Sequence, residues 1–198
     1  MAIYRCKSCG GDLDVQAGVS VVECEYCGNK QTLPKVTDEN VQALFNRASF
    51  LRQKCEFDKA EKLYEKILEE NDQEAEAYWG VILCKFGIEY VEDPASGKRI
   101  PTCHRASYES IVADDYYKQA IKYADVIQRP VYEADARTID EIQKGIVAIS
   151  KKEEPYDVFI CYKETGADGQ RTQDSVIANE IYYQLKQEGL KDFYAAIT

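Results

Sequence analysis

Positive charge is scarce in this chain: 25 lysines and arginines face 35 aspartates and glutamates over 198 residues, a formal net charge of −10. A surplus of that sign repels phosphate backbones and anionic membrane surfaces, so nucleic acid is not the default partner. Long apolar runs are missing as well, and no stretch has the length that a bilayer span requires. The opening Met1-Ala2-Ile3-Tyr4-Arg5 runs straight into the first cysteine, leaving no room for a basic, apolar and cleavable export signal. These absences place the expected protein in the cytoplasm, away from membranes. Histidine is nearly absent: His104 is the only one, and it follows Cys103 directly. Neighbours along a chain rarely face each other, and no third orienting group is identifiable, so the pair reads as part of a surface loop rather than as a catalytic dyad.

Cysteine is what the chain does have, eight in all. With no export signal these read as reduced thiols and metal ligands rather than as a disulfide framework. Four of them form a pattern: Cys6-Lys7-Ser8-Cys9-Gly10, then 14 residues between Cys9 and Cys24, then Cys24-Glu25-Tyr26-Cys27-Gly28. Two residues between ligands let one tight turn aim both thiolates at a single tetrahedral ion, and the glycine that follows relieves the crowded backbone. Cys6, Cys9, Cys24 and Cys27 are therefore expected to bind one structural Zn²⁺ in a ribbon spanning residues 1–35. Two redox-active pairs without metal are the weaker account of this spacing. Residues 12–16 and 21–23 read as short strands joined through Ala17-Gly18, with 31–33 as a third. So short a piece cannot fold on a hydrophobic core, and the metal is expected to supply most of its folding free energy. Four thiolates close the coordination sphere, which argues against a catalytic zinc. Arg5, Lys7, Lys30 and Lys35 are matched by Asp12, Asp14, Glu23 and Glu25, so the metal-loaded ribbon is net negative and suited to structural or protein-contacting use. Cys55 and Cys84 read as ordinary thiols near helix termini or in the core rather than as a second metal site.

Beyond Leu33-Pro34, Thr37 and Asp38 offer an N-cap for a helix with Val41, Leu44, Phe45, Ala48 and Leu51 on one face. A second helix from about residue 58 carries Ala60, Tyr64, Ile67 and Leu68, and Asn71-Asp72 would start a third with Tyr78, Trp79, Ile82, Leu83 and Phe86. Small Ala48 and Ala60 with Tyr64 make residues 41–74 resemble one tetratricopeptide repeat (TPR) of 34 residues. A turn-rich stretch over 93–101 interrupts any second repeat. Two more helices are expected over 114–127 and 131–150, broken at Arg129-Pro130. Ile139, Ile142, Ile146 and Ile149 in the latter either cover this protein's own core or mark a partner seam. Residues 36–151 thus read as an all-α, TPR-like scaffold.

After Lys151-Lys152-Glu153-Glu154-Pro155 the pattern changes. Tyr156 to Tyr162 is a buried-strand run, residues 163–172 a polar loop, and 175–188 an amphipathic helix with Val176, Ile177, Ile181 and Leu185 inward, closed by Gly189. Residues 193–197 then read as another strand, completing one β-α-β unit. The run Tyr156-Asp157-Val158-Phe159-Ile160-Cys161-Tyr162, followed by Lys163-Glu164-Thr165 and by Asp174-Ser175 at the helix start, resembles the first box of a Toll/interleukin-1 receptor (TIR) domain. Serine often stands in the family where this chain has Cys161, which reads as a small strand residue rather than a nucleophile. Ribbon, helical repeat and TIR segment in this order resemble a bacterial TIR protein of immune or antiviral signalling.

The resemblance implies a flavodoxin-like parallel sheet in residues 155–198, and so a multidomain α+β chain: a small β zinc ribbon, an all-α helical domain and a partial α/β TIR segment. In many bacterial members it also implies cleavage of the nicotinamide-ribose bond of NAD⁺, in which a carboxylate stabilises an oxocarbenium-like transition state. The family's catalytic glutamate lies on a later helix, and no residue of this chain matches it, so the chain is expected to be inactive alone and no catalytic residue is assigned. Ligands of open α/β sheets sit beyond the carboxyl ends of the strands, which makes Tyr162, Lys163 and the loop through Arg171 the expected edge of a nucleotide pocket, with NAD⁺ belonging to a complete TIR domain only. The expected partners are proteins, through TIR-TIR self-association or another chain. A non-enzymatic adaptor that binds complete TIR proteins is the alternative.

Overall fold

The computed structural model describes residues 4–16, 18–36, 38–152 and 155–197. Ala17, Thr37 and the Glu153-Glu154 linker, all named above, lie outside the described residues. Among the described residues the architecture is mixed α/β, with six α-helices and four two-stranded sheets. The chain divides into two compact units, Met1–Ala148 and Ile149–Thr198. Among the described residues no helix is long and apolar enough to cross a membrane.

The first unit opens with two small hairpins. Strand β1 (Tyr4–Arg5) pairs antiparallel with β2 (Asp12–Leu13), and β3 (Val21–Glu23) with β4 (Lys30–Thr32). The expected pairing of 12–16 with 21–23 is not formed. Each Cys-x-x-Cys turn closes on its own flanks instead: Cys6 N–H donates to Gly11 O at 2.8 Å, and Cys24 N–H to Asn29 O at 3.0 Å. Every strand therefore pairs across its own cysteine turn, and the link through Gly18 only joins the two hairpins.

Helix α1 (Glu39–Gln53) is capped by Asp38, whose side chain accepts from Asn40 N–H at 2.7 Å. It lies beside α2 (Phe57–Glu70), which in turn lies beside α3 (Ala75–Lys85). Ala48 and Ala60 are fully buried, and so is Tyr64, in a shared core with Phe45, Leu51, Phe57, Ile67 and Val81. Gly80 on α3 lets the helices approach: a Cβ there would sit 2.5 Å from the Tyr64 ring. Helix α3 begins later than Asn71-Asp72, because Asn71 ends α2 in an extended conformation and its Oδ1 accepts from Gln73 N–H at 3.1 Å.

The middle region is not all-α. Strands β5 (Ile88–Glu92) and β6 (Arg99–Cys103) form an antiparallel hairpin where a loop was expected. The turn signals at 93–98 are the hairpin's own turn, with Asp93 accepting from Ala95 and Ser96 N–H groups at 3.2 Å each. Pro101 is tolerated because a two-stranded sheet has only edge strands. Cys103 accordingly ends a strand rather than sitting in a loop. After a short 3-10 turn at Ile111–Ala113 come α4 (Asp115–Tyr123) and α5 (Arg129–Ser150). The break between them falls at 124–128, and Pro130 is taken into the first turn of α5, where its missing N–H costs nothing. On α5, Ile139 is buried with Val131, Tyr132 and Ala136, whereas Ile149 is exposed, so the isoleucine stripe meets this protein's core only along its first half.

In the second unit, β7 (Val158–Lys163) and β8 (Asp192–Ile197) pair in parallel across α6 (Gln173–Gln187). Ile160, Tyr162 and Ala178 form the buried centre, flanked by Val158, Tyr182, Leu185 and Tyr194. The inward face of α6 differs from the expected one: Val176 is 58%, Ile177 46% and Ile181 42% exposed. Small Ala178 brings the helix close to the strand, which rotates Tyr182 and Leu185 inward and turns the β-branched residues out. Thr172 caps α6, its hydroxyl accepting from Ser175 N–H at 3.1 Å.

Candidate metal centre

The two cysteine turns repeat each other. In each, the N–H of the glycine after the second cysteine donates to the carbonyl of the first, Gly10 to Cys6 at 2.9 Å and Gly28 to Cys24 at 2.8 Å. Both glycines are left-handed, at φ +78° and +67°. This is the backbone that the Cys-x-x-Cys-Gly spacing demands. It turns both sulfurs of a pair to one side. Between the hairpins, Cys6 Sγ lies 3.7 Å from Cys27 Sγ, and Cys9 Sγ 3.7 Å from Cys24 Sγ. All four sulfurs lie within 4.8 Å of one another. A disulfide would need about 2 Å. Four thiolates at about 2.3 Å around a tetrahedral ion would stand about 3.8 Å apart. The cage therefore has the dimensions of a metal–thiolate site, and with four protein donors it leaves no position for substrate.

Backbone amides point at the sulfurs, as a thiolate cage requires. Ser8 N–H lies 3.4 Å from Cys6 Sγ. Burial opposes ionising Cys6, but the amides of Cys9 and Ser8 outweigh it and hold this thiol below its ordinary range. Burial pushes Cys9 and Cys27 up, against the amides of Gly11 and Asn29. A bound cation would supply the charge that keeps those two deprotonated.

Around the cage is a set of contacts that sequence reasoning missed. Arg52 on α1, almost fully buried, donates to Lys7 O at 2.6 Å and to Ile88 O at 2.9 Å, tying the first cysteine turn to a helix and to β5. Gln53 Nε2 donates to Cys6 O at 3.1 Å. Lys7 turns away from the sulfurs to Glu76 Oε1 at 2.5 Å, while Glu76 Oε2 accepts from Thr32 Oγ1 at 2.6 Å and Tyr132 OH at 2.8 Å. Gln128 Nε2 reaches Leu33 O at 2.8 Å, and Asn29 Nδ2 reaches Arg99 O at 2.9 Å. Glu76 had one readable signal. It shares with Lys85, at the far end, an eleven-residue helix that is otherwise apolar on all sides, a setting that favours burial with a partner.

The residues expected at a nucleotide edge lie in the second unit. Tyr162 is buried, its ring 4.9 Å from that of Tyr194. Lys163, at the end of β7, is exposed on the opposite face, and its carbonyl accepts from the Thr172 hydroxyl. Arg171 returns on the far side of the loop, paired with Thr165 in a β-bridge, and its Nε donates to Ser175 Oγ at 3.2 Å. The fold thus gathers Lys163 and Arg171 at one end of the sheet and turns the Tyr162 ring to the helix side. Of the other cysteines, Cys84 is buried in the α1–α3 core and Cys161 is exposed.

No family model, curated protein or solved structure matches this chain.

Proposed function

We propose that Cys6, Cys9, Cys24 and Cys27 bind one structural Zn²⁺, and that the zinc ribbon and TPR-like helices form the scaffold of a TIR-class signalling protein. The observation that carries the zinc reading is the closed four-sulfur cage: soft thiolates in tetrahedral array select Zn²⁺ over hard cations, and full coordination makes the ion structural. The TIR reading is supported by the parallel β7-α6-β8 unit built by the residues from Tyr156 onward.

Within that reading, residues 155–197 act as an adaptor surface joining a second copy of the same segment rather than as a catalyst. This is favoured by the aromatic cluster of Phe159, Phe193 and Tyr156 on the sheet face away from α6, where the Phe159 and Phe193 rings stack at 5.3 Å and all three side chains are exposed. The purified chain is expected to release no nicotinamide from NAD⁺ and to sediment as a dimer that Phe159→Asp returns to monomer. Steady nicotinamide release would overturn the adaptor reading. A monomer whose amides at 158–162 exchange at unprotected rates would remove the contact on which it rests.

A further inference from the structure

Apart from the four-cysteine cage, one cluster among the described residues draws metal-binding donors together. Cys55 lies in the link between α1 and α2, Glu89 on β5, and His104 just past β6; their Sγ, carboxylate oxygen and ring nitrogen all lie within 4.8 Å of one another. Three separate elements supply them, so the fold gathers them and not proximity in the chain. His104 Nε2 is 2.7 Å from Glu89 Oε2 and 3.8 Å from Cys55 Sγ. A relay of nucleophile, base and orienting carboxylate uses the two nitrogens of an imidazole separately, one toward each neighbour. Here a single nitrogen faces both, and the three donors converge on a common point. Convergence of that kind serves a cation.

The backbone of Cys55 is a second, independent observation. Helix α1 closes with Cys55 N–H donating to Arg52 O and Glu56 N–H to Leu51 O, each at 2.9 Å. That closure needs a left-handed residue at position 55, where glycine is the usual choice. Cys55 stands there at φ +57°, the one non-glycine residue with positive φ among those described. Strain of this sort is retained where the side chain has a use. The His104 ring is braced on Phe57, 5.6 Å between centroids, and Arg105 holds the same loop through Asp58 at 2.5 Å.

We propose that Cys55, Glu89 and His104 form a second metal site, which takes a divalent transition ion of the zinc type through one thiolate, one imidazole and one carboxylate. Binding breaks the His104–Glu89 hydrogen bond: its proton exchanges through solvent to His104 Nδ1, the Nε2 lone pair and the Glu89 carboxylate are freed for the ion, and the two donor atoms part to about 3.3 Å around it. The Cys55 proton leaves to solvent, so two negative ligands balance the two charges of the cation. Three protein donors leave a fourth position open to water or a small anion, and the half-exposed side chains of His104 and Glu89 give solvent access to it.

The test uses the full chain with its four-cysteine cage filled with zinc, titrated with Co²⁺. One further equivalent should bind per chain, with visible bands of low-symmetry cobalt and a sulfur-to-cobalt charge-transfer band. Cys55→Ser should abolish the charge transfer, and His104→Gln and Glu89→Gln should each weaken uptake by about tenfold or more, all three keeping one zinc per chain. Cys55→Gly guards against misfolding: it should melt above the parent without Co²⁺ and lose that advantage when Co²⁺ is saturating. Absence of the further equivalent, or a charge-transfer band that survives in Cys55→Ser, would overturn the site, and neither result bears on the TIR reading.

Discussion

Glu76 and Arg52 show why single buried charges matter more here than any surface pair. Arg52 spends its guanidinium on the Lys7 and Ile88 carbonyls. Arg52→Ala would take the side-chain donor from Ile88 O, leave Lys7 O only the long 3.4 Å contact from Gln53 Nε2, and open a cavity between α1 and the first cysteine turn. It is expected to cost about 2–4 kcal/mol, read as a lowered urea midpoint for the first unit alone. Asp135 gives a pH-dependent case. Burial, despite nearby Lys7, raises its carboxyl from 3.8 to about 6. The folded state therefore favours the protonated form, and the stability this confers is lost as pH rises from about 4 through 6. Asparagine stays neutral, so Asp135→Asn should gain on the parent as pH rises, reaching about 3 kcal/mol near pH 8. Urea midpoints at pH 5 and pH 8 measure the change; an equal difference at both would contradict it. None of Lys7, Thr32 or Tyr132 could be picked as a Glu76 partner from sequence, because the contacts span 44 to 69 residues of chain.

Local chemistry made some elements readable. The glycines after each second cysteine, the Asp38 cap and the apolar faces of α1 and α2 are each specified within a few residues, and each is found where those residues place it. Elements decided by distant partners were not readable. Residues 88–103 carry Asp93-Pro94 and Pro101, which read as loop until the two strands are laid side by side. Helix α6 is apolar on more than one face, and only its closeness to β7 through Ala178 selects the inward one. The end of α1 carries no glycine signal, because Cys55 stands in the left-handed position where a glycine would mark the cap. Replacing it by glycine relieves the left-handed strain at a modest entropic cost in the unfolded chain, and in the absence of added metal should stabilise the first unit by about 0.5–1 kcal/mol in urea titration. A loss of stability would show that Cys55 is held there by packing alone.

For the molecule as a whole, the cysteine spacing makes the four-sulfur cage legible but not what the cage supports. The paired hairpins have only a small cluster of their own, Leu13 and Leu33 with the cysteines, yet their carbonyls, Lys7 and Thr32 complete the hydrogen bonding of charged groups buried in the helical region. If the cysteine turns open, Arg52 and Glu76 lose those partners together. Orphaned buried charges cost several kcal/mol each, against a domain stability of about 5–15 kcal/mol. Metal loss should therefore spread through residues 4–148 and leave residues 158–197 unaffected. The direct test is hydrogen exchange on the intact chain before and after a chelator withdraws the metal. The account predicts that amides of the two cysteine turns, α1, α3 and β5 lose protection in one cooperative step, while those of β7 and α6 keep theirs. Protection retained in α1 and α3 after the turns have opened would contradict it.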